Sequence, residues 1–307
     1  MASILSITAP IYLLILLGWG CVRGGLFARG EMRVLGQFVL RLALPALLFR
    51  TLAQRRVGDI LNPRYLAAYA GGSLAAFALG WWWTRRRPGS YRALFGMGMS
   101  SSNSGFIGAP VLLQWMGPGS GVALALTLMV ENLLMLPLAL ALAEHGADSH
   151  VGTGAAMRRA LAPMARNPLL IAIVVGILCS AFGLVLAAPL QHTVDLMAAA
   201  SAPVALFVIG GTLVGLDWHG QRADLAAVAG GKLLLHPLAV GALMIWALPA
   251  QPQLRHAAIV LAAMPMLSIY PVLAQKYRHD GFCAAALLVT TAASFFTLSA
   301  LIGWLGA

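Results

Sequence analysis

The chain has 307 residues, 60% of them hydrophobic and only 9% charged, with a mean hydropathy of +0.86. A soluble domain carries about 25% charged residues, so this composition excludes one, and the apolar stretches reach the ~20 residues that cross a bilayer. The net charge of +11 is no argument for nucleic acid, because Lys and Arg gather in the cytoplasmic loops of membrane proteins.

In chain order the apolar pattern predicts an all-α membrane protein of ten spans. They are Ile4–Val22, Val34–Leu52, Tyr65–Trp83, Arg92–Met116, Ser120–Glu144, Asn167–Ala187, Val194–Gly215, Ala223–Leu248, Arg255–Tyr277 and Gly281–Leu305. The start, Met1 to Pro10, lacks the basic region of a cleavable signal, so the first span is expected to stay. Cys21, Cys179 and Cys283 have neither metal nor disulfide spacing and read as small hydrophobes. A polar, basic stretch, His145 to Arg166, separates two halves, residues 1–145 and 167–307, with 146–166 as linker.

The loops set an orientation. One side carries Arg23, Arg29, Arg33, Arg85, Arg86, Arg87, Arg92, Arg158, Arg159, Arg166, Arg222, Lys276 and Arg278. The other carries Arg50, Arg55, Arg56, Arg64 and Arg255. The richer side is expected to be cytoplasmic, which places the linker inside and both termini outside.

The halves repeat. A shift of 158 residues moves Pro10, Gly18, Cys21, Gly25 and Leu26 onto Pro168, Gly176, Cys179, Gly183 and Leu184, and Pro45 and Phe49 onto Pro203 and Phe207. A shift of 161 moves Pro110 onto Pro271. Five spans per copy is an odd number, so the second copy must enter the membrane inverted.

Two spans are written as broken helices. Ser100 to Gln114 reads SSSNSGFIGAPVLLQ, and PVLLQ at Pro110 is echoed by PVLAQ at Pro271. Broken helices in corresponding halves point to a transporter's binding site. Their irregular backbone must meet protein or a wet cavity, so spans four and nine are expected to cross. Half-helices beginning near Ala109 and Tyr270 would place Pro110 and Pro271 in a first turn, where a missing N–H costs nothing, and would offer free N–H groups to an anion. Asn103, Ser102 and Ser104 supply further donors; alternatively they satisfy frayed carbonyls.

Ionisable groups inside a membrane are functional candidates. Glu131 and Asn132 fall in span five; Lys232 and His236, one helical turn apart, fall in span eight. Lys232 either attracts an anionic substrate, pairs with Glu131, or snorkels. Glu131 either pairs or carries a coupling proton, a role His236 could share. Arg41 is near enough to the cytoplasmic face to snorkel. Trp115 and Phe106, near the crossing, could pack on an aromatic substrate ring, but in apolar helices such residues are more often plain packing or interface anchors. His145, Asp148 and His150 cluster in the linker without metal-site spacing, and no HExxH, GxSxG or phosphate-binding loop is present. No metal, cofactor or catalysis is expected.

Several stretches together resemble the auxin efflux carrier family over nearly the whole chain. They are TAPIYLLILLGWGCVRGGLF at Thr8, FVLRLALPALLF at Phe38, NSGFIGAPVL at Asn103, ASAPVALFVIGGTL at Ala200, KLLLHP at Lys232 and MPMLSIYPVLAQKY at Met264. The resemblance implies a fold like that of the bile-acid sodium symporters. Spans 1, 2, 6 and 7 would form a scaffold, and spans 3–5 and 8–10 a mobile bundle. It further implies small organic carboxylates such as malonate or auxin-like acids as substrates, elevator-type alternating access, and a homodimer joined through the scaffold. Asn103, Pro110 and Pro271 correspond to the family's crossing, and Lys232 to its span-eight basic residue. The chain departs from the pattern at Arg41, normally apolar or aromatic, and at Pro265 and Pro271, six residues apart rather than five. It also lacks the long cytoplasmic loop of plant members, which suggests a bacterial inner-membrane protein. No acidic or Gln cluster in span nine suggests a sodium site. The expected function is secondary transport of an organic anion; the alternative is a receptor that binds a carboxylate without turnover.

Overall fold

The computed structural model describes residues 2–55, 61–147, 153–215 and 222–306. Arg56, Asp148 and His150 lie outside them. Thirteen helices are used below: α1 Ala2–Arg23, α2 Arg29–Ala53, α3 Pro63–Trp83, α4 Gly89–Ser100, α5 Ala109–Met116, α6 Gly121–Ala147, α7 Thr153–Leu161, α8 Pro168–Ala181, α9 Ala188–Thr212, α10 Arg222–Ala247, α11 Pro252–Ala262, α12 Tyr270–Gln275 and α13 Asp280–Leu305. Among the described residues there is no β-strand, only an isolated antiparallel bridge between Ser102 and Met266.

The helix starts follow local chemistry. Asn62 caps α3 by accepting the Tyr65 N–H at 3.0 Å, and Asn167 caps α8 by accepting that of Leu169 at 3.0 Å, each with a proline as the first helical residue. α1 and α8 are each followed by a glycine at positive φ, Gly25 at 78° and Gly183 at 62°. These two are related by the 158-residue repeat, and a side chain would strain either turn.

Each predicted span holds helix, and among the described residues five helices are long and apolar enough to cross a bilayer: α2, α6, α9, α10 and α13. The segment 157–166 and α8, bent by 58°, would make a sixth. α4, α5, α11 and α12 have 12, 8, 11 and 6 residues, because a break divides each crossing span in two. Large apolar side chains face outward; Trp246 is 85% exposed, and Leu238 and Phe296 are each 71% exposed. In water such a surface would drive association; in lipid it is the ordinary solvent-facing surface. The protein is a multi-pass membrane protein. The linker, read as a plain polar stretch, contains α7 and a 3-10 turn at Ala162–Arg166.

Among the described residues four π turns occur: Val39–Ala43 in α2, Ser104–Gly108 leading into α5, Glu131–Met135 in α6 and Gly231–Leu235 in α10. Each ends two residues before a proline, namely Pro45, Pro110, Pro137 and Pro237. A proline inside an α-helix clashes with the carbonyl four residues back and lacks the N–H that would bond to it. The wider turn relieves that clash while keeping the chain helical. Span four resumes as α-helix at Ala109 with Pro110 in its first turn, as expected, but the π turn before it already resumes helical bonding at Ser104.

α1 packs along α9, and α8 along the second half of α2. The first pair is so close that a Cβ on Gly210 would lie 1.8 Å from the Ile15 carbonyl oxygen, and one on Gly18 would lie 2.0 Å from that of Phe207. α3 packs against α4 and α10, α4 against α6, α10 against α11, and α12 against α13. The basic end is tied by Arg87 to Asp224 at 3.2 Å and by Lys276 to Glu144. At the opposite end Asn62 donates to Gln251 at 3.1 Å, and Arg50 lies 3.7 Å from Asp195.

Candidate functional site

The two breaks meet. α4 stops at Ser100 and the chain turns extended at Ser101, with φ −104° and ψ 125°. Ser102 then bridges to Met266, and the Asn103 N–H donates to the Pro265 carbonyl at 2.8 Å. Backbone groups that neither half-helix satisfies are thus satisfied across the crossing, as hydrocarbon surroundings require. Asn103, 2% exposed, supports both chains. Its Oδ1 accepts the Phe106 N–H at 3.3 Å, its carbonyl accepts those of Ile107 and Gly108, and its Nδ2 donates to Ser268 Oγ at 2.6 Å. Pro265 lies in the second break and Pro271 in the first turn of α12.

Lys232 is fully buried, lifted into the crossing by the π turn of α10. An ammonium has three N–H donors and accepts nothing. Lys232 Nζ has three acceptors: Ser102 Oγ at 2.8 Å, the Ala262 carbonyl at 2.6 Å and His236 Nδ1 at 2.8 Å. Ala262 ends α11, where the helix dipole is negative and favours a cation. With Lys232 charged, His236 Nδ1 is an acceptor, so its proton is assigned to Nε2, which lies 2.9 Å from Ser73 Oγ.

Glu131, 3% exposed, enters from the π turn of α6. Its Oε1 accepts the Ser104 hydroxyl at 2.8 Å, the Ser102 N–H at 3.3 Å and the Tyr69 hydroxyl at 3.3 Å. Tyr69 stacks on Tyr65 with centroids 6.1 Å apart, and the Tyr65 hydroxyl lies 2.8 Å from Thr127 Oγ1 and donates to the Ala123 carbonyl. Ser102 is therefore held from two sides: its hydroxyl by Lys232, its N–H by Glu131. Among the described residues Lys232 and Glu131 form no ion pair within 4 Å. The pairing considered from sequence runs through Ser102 instead.

Of the expected site residues, Asn103, Ser102, Ser104, Lys232, His236 and Glu131 come together. Asn132 does not. Its Oδ1 accepts Asn167 Nδ2 at 3.2 Å, bracing the start of α8 away from the crossing. Phe106 is buried packing, as read, whereas Trp115 is only half-buried and lines a cavity at the far end of α5. Arg41 is exposed. Sequence reasoning missed Tyr65, Tyr69 and Ser73, although their spacing of four puts them on one face of α3. It also missed Ser268 and the Ala262 carbonyl, which only the crossing brings near. Ser101 is a further surprise: its buried hydroxyl has no hydrogen-bond partner among the described residues.

A buried cation and a buried carboxylate around a broken pair of helices in a multi-pass chain define a membrane carrier rather than a soluble binding protein. Residues 3–302 match the membrane transport protein family, and the chain belongs to it, the family of the auxin efflux carriers. It is 26% identical over 311 residues to "Putative malonate transporter" of Rhizobium meliloti, covering 98% of this chain and 96% of that one. It is 27% identical over 239 residues, 75% of each chain, to "Uncharacterized transporter YfdV" of Escherichia coli.

Proposed function

We propose that the chain is a secondary transporter of a small organic carboxylate, malonate-like or auxin-like, which binds at the crossing and moves by elevator-type alternating access. The observation that carries this reading is Ser102, held between a buried cation and a buried carboxylate at the point where both helices break. Lys232 fixes the positive potential there while its three donors serve the protein. The Ser101 hydroxyl and the Asn103 amide are the donors for a substrate carboxylate. A relative bearing the name of malonate transporter adds weight to this substrate class.

The ten-span inverted repeat is part of the same proposal, and its support is reciprocal packing. Gly18 sits on the backbone of Phe207, and Gly176 on that of Phe49, with a Cβ meeting the Phe49 carbonyl at 3.3 Å. The repeat shift exchanges Gly18 with Gly176 and Phe49 with Phe207. Residues 1–145 and 167–307 are then the two copies. α1, α2, α8 and α9 form the scaffold, whose exposed apolar faces, including Val174 and Leu178, suit a homodimer seam. α3–α6 and α10–α13 form the moving bundle. The basic end faces the cytoplasm of a bacterial inner membrane.

Proteoliposome counterflow with labelled malonate, other short dicarboxylates and aromatic monocarboxylates tests the reading. Saturable exchange by wild type and at least a tenfold loss in Asn103→Ala is expected; folded protein that exchanges no panel member refutes carboxylate transport. Glu131 is assigned the coupling proton. Glu131→Gln keeps an acceptor for Ser104 but cannot ionise, so exchange should persist with its pH dependence flattened. An unchanged pH profile removes Glu131 from coupling.

A further inference from the structure

At the end of the molecule opposite the arginine-rich one, a cavity of about 420 Å³ opens between α5, α6, α11 and the residues after α2. Its polar lining is Arg55, Ser120, Gln253 and His256; Trp115 and Ala123 give it apolar walls. Arg55 is exposed, and among the described residues it has no acidic partner; Asp195, a described acid at this end, lies against Arg50. The Arg55 carbonyl accepts the Ser180 hydroxyl of α8, so this cation is anchored to the proposed scaffold. The remaining lining belongs to the proposed bundle. The cavity also touches the crossing through a short relay: the Ala123 carbonyl accepts the Tyr65 hydroxyl, Tyr65 stacks on Tyr69, and Tyr69 donates to Glu131.

From this geometry we infer that the cavity is a second carboxylate site, in which Arg55 holds an organic anion on the outer side before it reaches the crossing. The inference rests on the transport reading for its place in a cycle, but the site itself is a binding claim. A guanidinium presents a planar fork of donors to a carboxylate, and Gln253 and Ser120 add neutral polar groups. Trp115, Ala123 and their apolar neighbours suit the carbon body of the ligand. One fixed cation at the seam attracts an anion without neutralising a second charge. It also couples occupancy to the seam, because the ligand touches scaffold and bundle together.

Charge-selective thiol labelling tests the site without requiring turnover. In a background with Cys21, Cys179 and Cys283 replaced by alanine, Gln253→Cys puts a thiol on the exposed rim. The sulfonate-bearing methanethiosulfonate reagent should label it about tenfold faster than the trimethylammonium reagent, relative to a free thiol, at the lower end of what a focused charge does to encounter rates. Arg55→Gln should abolish that preference and Arg55→Lys should keep it. Malonate or benzoate should slow the sulfonate reagent when Arg55 is present and not in Arg55→Gln. Asn103→Ala should leave this protection intact while losing exchange, which separates the cavity from the crossing. Unchanged selectivity in Arg55→Gln, or no protection by either anion, overturns the inference. Protection without exchange of any panel anion keeps the site and refutes the transport reading.

Discussion

Lys232→Met should move no substrate and should unfold well below the wild-type temperature in detergent. The substitution removes one cation and leaves three acceptors, Ser102 Oγ, His236 Nδ1 and the Ala262 carbonyl, unpaired in the protein interior. It also leaves the Glu131 carboxylate without a compensating charge nearby. Breaking a buried charge arrangement from one side costs about 3–5 kcal/mol. The informative comparison is the double variant Lys232→Met with Glu131→Gln. Removing both charges should recover a large part of the lost stability, because the orphaned carboxylate is gone, yet exchange should stay absent. A double-mutant cycle on thermal unfolding measures the coupling, and contact through a shared residue predicts non-additivity of about 0.5–3 kcal/mol. Strict additivity would mean that Ser102 does not link the two charges.

Gly210→Ala should be nearly as damaging, for a reason unconnected with charge. Its new methyl would be placed 1.8 Å from the Ile15 carbonyl oxygen, and backbone has no rotamer to yield. α1 and α9 must separate, and the loss spreads to every contact between them, at or beyond the ~1–3 kcal/mol of a core overpacking. Gly211→Ala is the control. Its Cβ would meet side chains only, the Met32 sulfur at 2.4 Å, Met32 Cγ at 2.7 Å and Val22 Cγ2 at 2.9 Å, which can shift more cheaply than a backbone carbonyl. Size-exclusion profiles and melting temperatures should rank wild type, Gly211→Ala and Gly210→Ala in that order. A Gly210→Ala protein as stable as wild type would show that α1 and α9 are not in backbone contact.

Much of this was legible in the sequence because membrane burial simplifies the code. Hydrocarbon forces each span to be helical, so a segment such as Ser100–Gln114, dense in serine, glycine and proline, stands out as an interruption. The charges stand out equally: an apolar chain does not carry Lys232 and Glu131 in its spans without partners. What could not be read was who the partners are. Asn132, beside Glu131, looked equivalent to it, but a π turn decides which of two neighbours points inward, and that depends on a proline six residues away. The Ala262 carbonyl has no side-chain signature at all. Tyr65, Tyr69 and Ser73 were visible as a stripe, yet a stripe on an apolar helix is ordinarily packing. Helical bonding resuming at Ser104, ahead of the α-helix at Ala109, follows from a different π turn, Ser104–Gly108.

Those π turns have an implication for how the protein can change. A π turn holds one residue more than the α turn it replaces, so each is in effect a one-residue insertion kept in register by the proline after it. Deleting a single residue within Glu131–Met135 or Gly231–Leu235 would let the helix close to α geometry. The turns on either side would keep their faces, because the π turn already absorbs the extra residue without changing their register. Glu131 or Lys232, inside the turn, would lose the wide backbone that presents it to the crossing, and the clash relieved at Pro137 or Pro237 would return. In these two spans a one-residue deletion would act on the turn itself and leave the rest of the helix facing as before.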